Sequence, residues 1–127
     1  AGFGKSRGVL ECLRPRFRIA VVSNFYGNLE RVLDDGGLAH FVDAAIDSSL
    51  VGYSKPDPRI FEAALNAIGV KASNAVMVGD SLEKDCAPAR QLGMRTVWLC
   101  ANGAPESGRG AADRTITALD ELPRIAW

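Results

Sequence analysis

Short apolar runs rich in β-branched residues alternate along the chain with longer stretches whose apolar positions recur every three to four residues. This alternation predicts an α/β fold with a mostly parallel sheet and helices on both faces, because strands joined by crossover helices are covered on each side. The expected strands are Phe17 to Ser23 (FRIAVVS), Ala44 to Ser48, Ala75 to Val78, Thr96 to Leu99 and a short Thr115 to Thr117. FRIAVVS is nearly continuous in apolar residues, which suits a strand covered on both faces. Gly8 to Leu13 reads as the end of a helix, and Asn28 to Asp35 as a helix stopped at Gly36-Gly37, where a left-handed cap carries no Cβ penalty. Pro58 to Ile68 is expected to be helical with Ile60, Phe61, Ala64, Leu65 and Ile68 on one face, started by a proline that needs no amide partner there. Leu82 to Leu92 and a final turn from Leu119 complete the helices, and Ala101 to Asp113, punctuated by Gly and Pro, reads as a loop.

Composition narrows the function classes. The 127 residues suffice for one compact domain, and 15 Lys and Arg balance 15 Asp and Glu. A net charge of zero and a pI near 6.8 argue against nucleic-acid binding, which draws its affinity from clustered cationic charge. The longest aliphatic runs, such as Ile19 to Val22, are about four residues long against the roughly 18 that a bilayer-spanning helix needs, so no membrane partner is expected. Cys12, Cys86 and Cys100 are odd in number and widely spaced, as expected of reduced, mostly buried thiols in a cytoplasmic protein.

Three groups of polar residues follow expected strands, where open α/β sheets place their ligand sites. Ser23 and Asn24 supply a hydroxyl and an amide, Lys55 a cation between Ser54 and Pro56, and Asp80 and Asp85 two carboxylates across a strand-to-helix turn. A donor hydroxyl, a cation and an acidic pair are what a phosphoryl group and a hard divalent cation require together. Singly, each has a plain structural reading: a turn or cap for Ser23-Asn24, a solvated loop charge for Lys55, a helix cap for Asp80.

Taken in order and spacing, these words resemble the haloacid dehalogenase superfamily, over roughly residues 8 to 125. Its second motif is an apolar strand ending in Ser or Thr, its third a Lys, and its fourth G-D followed by a further Asp. The flanking segments KPDPRIFEAAL (Lys55 to Leu65) and GDSLEKDCAPARQLGMRTVWL (Gly79 to Leu99) are similar to the branch containing phosphoglycolate phosphatases and 2-haloacid dehalogenases. The resemblance implies a Rossmann-like core, with Ser23, Lys55 and the backbone at Asn24 binding phosphate. It also implies catalytic charge neutralisation by Lys55, and Mg2+ held by Asp80 and Asp85. Phe25 stands where the dehalogenase branch usually has Gly, a lean towards small phosphate monoesters as substrates.

The family's first motif, D-x-D on the central strand, supplies the nucleophile and the general acid/base. No two aspartates of this sequence are separated by a single residue, and Glu11 is the only acid before Ser23. No nucleophile is therefore assigned. The expectation is a single incomplete core over residues 1–127, carrying motifs two to four, without a cap and inactive as an isolated chain. The alternative is a non-catalytic protein that binds phosphate or another protein. The missing strand would lie between the motif-two and motif-four strands, so those strands either pair directly or receive another segment or a second copy, as in a homodimer. The glycines of AGFGKSRG make it a poor strand for that role. Gly4-Lys5-Ser6 mimics the end of a P-loop without the strand and first Gly such a loop needs. A receiver domain would place its acidic pair ahead of its Lys, the reverse of the order here. His40, Trp98 and Trp127 are expected to be structural, and Arg109 to lie in a loop.

Overall fold

The computed structural model describes residues 2–101 and 110–125, with side chains from Arg7 onward. Helix α1 (Gly2–Leu13) leads into strand β1 (Ala20–Ser23), helix α2 (Leu29–Asp35), strand β2 (Ala44–Asp47) and a single turn of helix, α3 (Ser48–Val51). Helix α4 (Pro58–Ile68), strand β3 (Val76–Gly79), a π-turn over Leu82–Cys86 and helix α5 (Ala87–Gln91) follow. Strands β4 (Arg95–Leu99) and β5 (Arg114–Ile116) and a 3-10 turn over Leu119–Arg124 complete the order.

All described strand pairings are parallel, as the apolar runs predict, but they form two sheets. β1 pairs with β2, in register from Ala20 opposite Ala44 to Ser23 opposite Asp47. β3, β4 and β5 form the second sheet in that order. β1 and β3 are not hydrogen-bonded to each other, which removes direct pairing as the way the missing neighbour is accommodated.

Helices that bridge the two sheets hold them together. On one face α4 packs Ile60, Phe61 and Ala64 against Ala20, Val22, Ala44 and Ile46 of the first sheet and also against Met77 of β3. On the opposite face α1 reaches both sheets, with Leu10 beside Val21 and Ala45 and with Val9 and Leu13 beside Val76, Val78 and Val97. Alternate residues of β1 and β3 thus enter opposite cores, the period-two rule of a strand covered on both faces. Yet every residue of β1 and β3 is only half-buried, because among the described residues each strand keeps one edge without a partner strand. In β4, paired on both sides, Thr96 and Val97 are fully buried.

Several boundaries differ from the sequence expectation for visible reasons. β1 begins at Ala20 instead of Phe17: the Asp43 carboxylate takes the Ile19 N–H (2.7 Å), and the Ile19 carbonyl accepts from Asp43 N (2.7 Å). The glycine-rich start is helical from Gly2, so Gly4-Lys5-Ser6 has helical backbone instead of a phosphate loop, its side chains lying outside the described residues. The expected helix over 82–92 opens as the π-turn. Helix α4 matches its expected span, with Asp57 capping the Arg59 N–H at 3.0 Å, Pro58 in the first turn and Gly69 at φ 67°.

Candidate active site

The side chains singled out from the sequence follow the carboxyl ends of β1, β2 and β3. Lys55 lies in the segment joining α3 to α4, and its Nζ contacts Asp85 Oδ1 at 2.7 Å. The lysine side chain is 17% exposed and the aspartate 3%, so this ion pair is largely removed from water. It also joins the two sheets, since Lys55 belongs to the connection leaving the first and Asp85 to the turn leaving the second. The π-turn aims Asp85: the Ser81 carbonyl accepts from both Asp85 N (2.9 Å) and Cys86 N (3.2 Å), while Ser81 Oγ accepts from Lys84 N (3.1 Å). This wide turn brings the Asp85 carboxylate back over Gly79, where Oδ2 accepts the Ser81 N–H at 3.2 Å. A methyl group on Gly79 would overlap Asp85 Cβ, Cγ and Oδ2, which is the reason glycine ends β3.

Asn24 was expected beside phosphate through its backbone; the structure gives its side chain a different task. Its Oδ1 accepts the Lys55 N–H at 2.7 Å and its Nδ2 donates to the Lys55 carbonyl at 3.2 Å. The amide therefore clips the main chain that carries the cation. Ser23 ends β1 half-buried, in register with Asp47. Asp47, absent from the sequence reading, is 2% exposed and organises the loop after Ser23-Asn24. Its Oδ2 accepts from Gly27 N (2.8 Å) and Leu29 N (3.1 Å), and its Oδ1 from Ser49 N (3.0 Å). The signal that could have revealed it is an acidic residue ending a strand immediately before a short turn opened by two serines, a capping pattern.

Asp80 lies exposed at the mouth of the same turn, its carbonyl accepting from Trp98 Nε1 at 3.2 Å, which gives Trp98 a packing and anchoring role. Among the described residues no three His, Cys, Asp or Glu side chains gather where a metal ion could sit. The oxygen donors of Asp80 and Asp85 suit magnesium in chemistry. They fall short in number, because Asp85 is engaged by an ammonium group and a main-chain amide.

The other residues noted in the sequence take no part in this cluster. His40 is exposed on a 3-10 turn (Ala39–Phe41). Arg109 and Trp127 lie outside the described residues. The expectation of mostly buried thiols holds for Cys86 alone: Cys100 is half-buried and Cys12 exposed on the outer side of α1. Burial, reinforced by the negative charges of Asp85 and Asp113, pushes the Cys86 thiol up to about 11.

A model of haloacid dehalogenase-like hydrolases matches residues 3–93 of this sequence. The chain belongs to that family. It is 38% identical over 113 residues to a phosphoserine phosphatase of Thermus thermophilus, covering 88% of this chain and 45% of the relative. In three dimensions it is similar to a phosphatase of this family from Thermococcus onnurineus (TM-score 0.87, 34% identity), over 95% of this chain and 56% of that one. A 2-haloacid dehalogenase from Pseudomonas syringae is as similar (TM-score 0.85, 34% identity), over 96% of this chain and 51% of that one. The chain therefore spans about half the length of the relatives it matches. No helix among the described residues is long and apolar enough to cross a membrane.

Proposed function

We propose that this haloacid dehalogenase-like chain is the carboxyl-terminal core portion of a hydrolase of small phosphate monoesters, and that alone it does not turn over. The carrying observation is the Lys55–Asp85 pair spanning the two sheets at their carboxyl ends, beside strands β1 and β3 that each keep an unpaired edge. α1 and α4 pack on both sheets from opposite faces, which supports a further parallel strand fitting between β1 and β3, with its carboxyl end beside Lys55. A carboxylate delivered there would be the nucleophile that the sequence lacks.

In this reading the Ser23 hydroxyl and the main-chain N–H of Asn24 donate to phosphoryl oxygens, and Lys55 neutralises charge developing on the transferring group. Asn24 holds the Lys55 main chain in place for that role. Asp80 and Asp85 would contribute two ligands to a magnesium site completed by the incoming carboxylate, and the cation would supply charge neutralisation at the phosphoryl oxygens. The comparisons include a phosphatase and a dehalogenase at equal identity; Phe25, in place of the glycine usual in dehalogenases, favours the phosphoester. Residues 1–127 then form one incomplete core without a cap, in a protein of the reducing cytoplasm.

The test is hydrolysis of p-nitrophenyl phosphate by the folded 127-residue chain, with and without magnesium, with Asp80→Asn as the control for contaminating phosphatase. No magnesium-dependent turnover is expected. Turnover that disappears in Asp80→Asn would mean that a carboxylate within this chain serves as nucleophile, and would overturn the proposal.

A further inference from the structure

We propose that Tyr26 and Leu50 form an apolar rim on the phosphate site that receives the organic group of the substrate, which selects monoesters whose alcohol presents a flat or apolar surface. The inference rests on the phosphomonoester reading above and extends it to the leaving group.

Exposure by itself says little, since single apolar side chains on a surface are ordinary. Placement decides. Among the described residues, the large hydrophobic side chains left exposed are Tyr26, at 89%, and Leu50, at 68%. They come from different elements on neighbouring loops: Leu50 Cδ2 lies 3.8 Å from where a Cβ on Gly27 would stand, so Leu50 flanks the residue next to Tyr26. Both follow the carboxyl ends of strands, Tyr26 three residues after Ser23 of β1 and Leu50 three after Asp47 of β2. Tyr26 is also two residues from Asn24, whose amide is bonded on both sides to the Lys55 main chain. The apolar pair thus lies on the loops that follow the strands ending in Ser23 and Asp47, one of them tied through Asn24 to Lys55.

The rim is also held in place before any ligand arrives. Phe25 turns inward against the cluster of Leu29, Leu33 and Leu38, its ring 5.5 Å from that of Tyr26 and tilted by 51°. The Phe25 N–H donates to Ser48 Oγ at 3.0 Å, and the Phe25 carbonyl accepts from Ser49 Oγ at 2.6 Å and Ser48 Oγ at 3.3 Å. The Asp47 carboxylate takes the next N–H groups, at Gly27 and Leu29, and also that of Ser49, tying the Tyr26 loop to the helical turn carrying Leu50. Gly27 at φ 95° makes the turn that leaves Tyr26 outward. A preorganised aromatic next to an anion site is suited to a planar or apolar leaving group, because little ordering cost remains to be met on binding.

The experiment measures dissociation constants of the full chain for inorganic phosphate, methyl phosphate and phenyl phosphate by calorimetry or amide chemical shifts. Phenyl phosphate is expected to bind about fivefold more tightly than methyl phosphate, the scale of an added aromatic contact. In Tyr26→Ala and Leu50→Ser that ratio should fall towards one; both positions are exposed, so neither change threatens folding. If phosphate and methyl phosphate bind while the ratio is already one in the parent chain, or persists in the Tyr26→Ala/Leu50→Ser double variant, the rim is overturned and the phosphomonoester reading stands. If none of the three binds, both readings fall.

Discussion

Lys55 and Asp85 occupy a position that ordinary stability arguments disfavour, two charges drawn out of water with, among the described residues, one further hydrogen bond, from Ser81 N, satisfying the carboxylate. A pair so placed adds little net stability, yet removing one partner leaves the other buried and uncompensated. Lys55→Met and Asp85→Leu are each expected to cost about 3 kcal/mol in urea unfolding, and the double variant less than either. Additive losses in that cycle would show that the two charges do not interact in solution. Gly79→Ala tests the same contact from the backbone side: with no room for a methyl beneath Asp85, the carboxylate must leave Lys55, at a cost of about 1–3 kcal/mol. At this scale the sequence displays residue type and order but not partnership. Ser23, Lys55, Asp80 and Asp85 are legible because they end strands or open turns, whereas the Asn24–Lys55 clip and the Gly27 and Leu29 amides on Asp47 join segments 18 to 31 residues apart; only the Ser49 amide on Asp47 belongs to a local capping pattern.

Elements are legible where local chemistry agrees with packing, and α4 is the clearest case. Its cap, its proline, its terminal glycine and its apolar face all specify the same span. The segment over 82–92 reads as one helix because periodicity does not register whether the first turn is α or π; the wide turn is the one that carries Asp85 against Lys55, a tertiary contact the local pattern does not show. β5 shows a comparable dependence. Asp113, just before it, accepts both the N–H and the hydroxyl of Thr96 in β4, at 2.8 and 3.2 Å, and returns its own N–H to that hydroxyl at 3.2 Å. The backbone bond from Thr96, aided by its hydroxyl and by Arg90 and Arg95, holds the Asp113 carboxyl below the ordinary 3.8. A carboxyl depressed in the folded state contributes stability that is present above its unfolded value and lost as pH falls through the folded one. Stability should therefore begin to decline near pH 4, and Asp113→Asn should flatten that decline in thermal melts between pH 5 and pH 2. An unchanged slope would locate the acid sensitivity at another carboxylate, with Glu121, also lowered by main-chain N–H groups, the next to replace.

At the scale of the whole molecule, the division into two parallel sheets joined by α1 and α4 is the property with the most to say about function. Its origin is legible in the sequence as a missing D-x-D strand, but not its outcome, because β1 and β3 could have closed on each other. They do not, since α4 packs on β1 and β2 through one part of its apolar face and on Met77 of β3 through another, and α1 does the same from the opposite side with Leu10 and Val9. Collapse of the sheets onto each other would cost those contacts. The backbone groups on the facing edges of β1 and β3 consequently lack ladder partners, and such edges exchange with solvent or recruit another strand. Hydrogen exchange separates these outcomes. In dilute solution the gap-facing amides of β1 and β3 should exchange orders of magnitude faster than those of β4, which is paired on both sides. If a second copy of the chain supplies the intervening strand, protection of β1 and β3 should rise with protein concentration together with a dimer in sedimentation, whereas β4 should stay unchanged. Protection in β1 equal to that in β4 at every concentration would mean that the sheets close within one chain, and the strand site argued for the nucleophile would not exist.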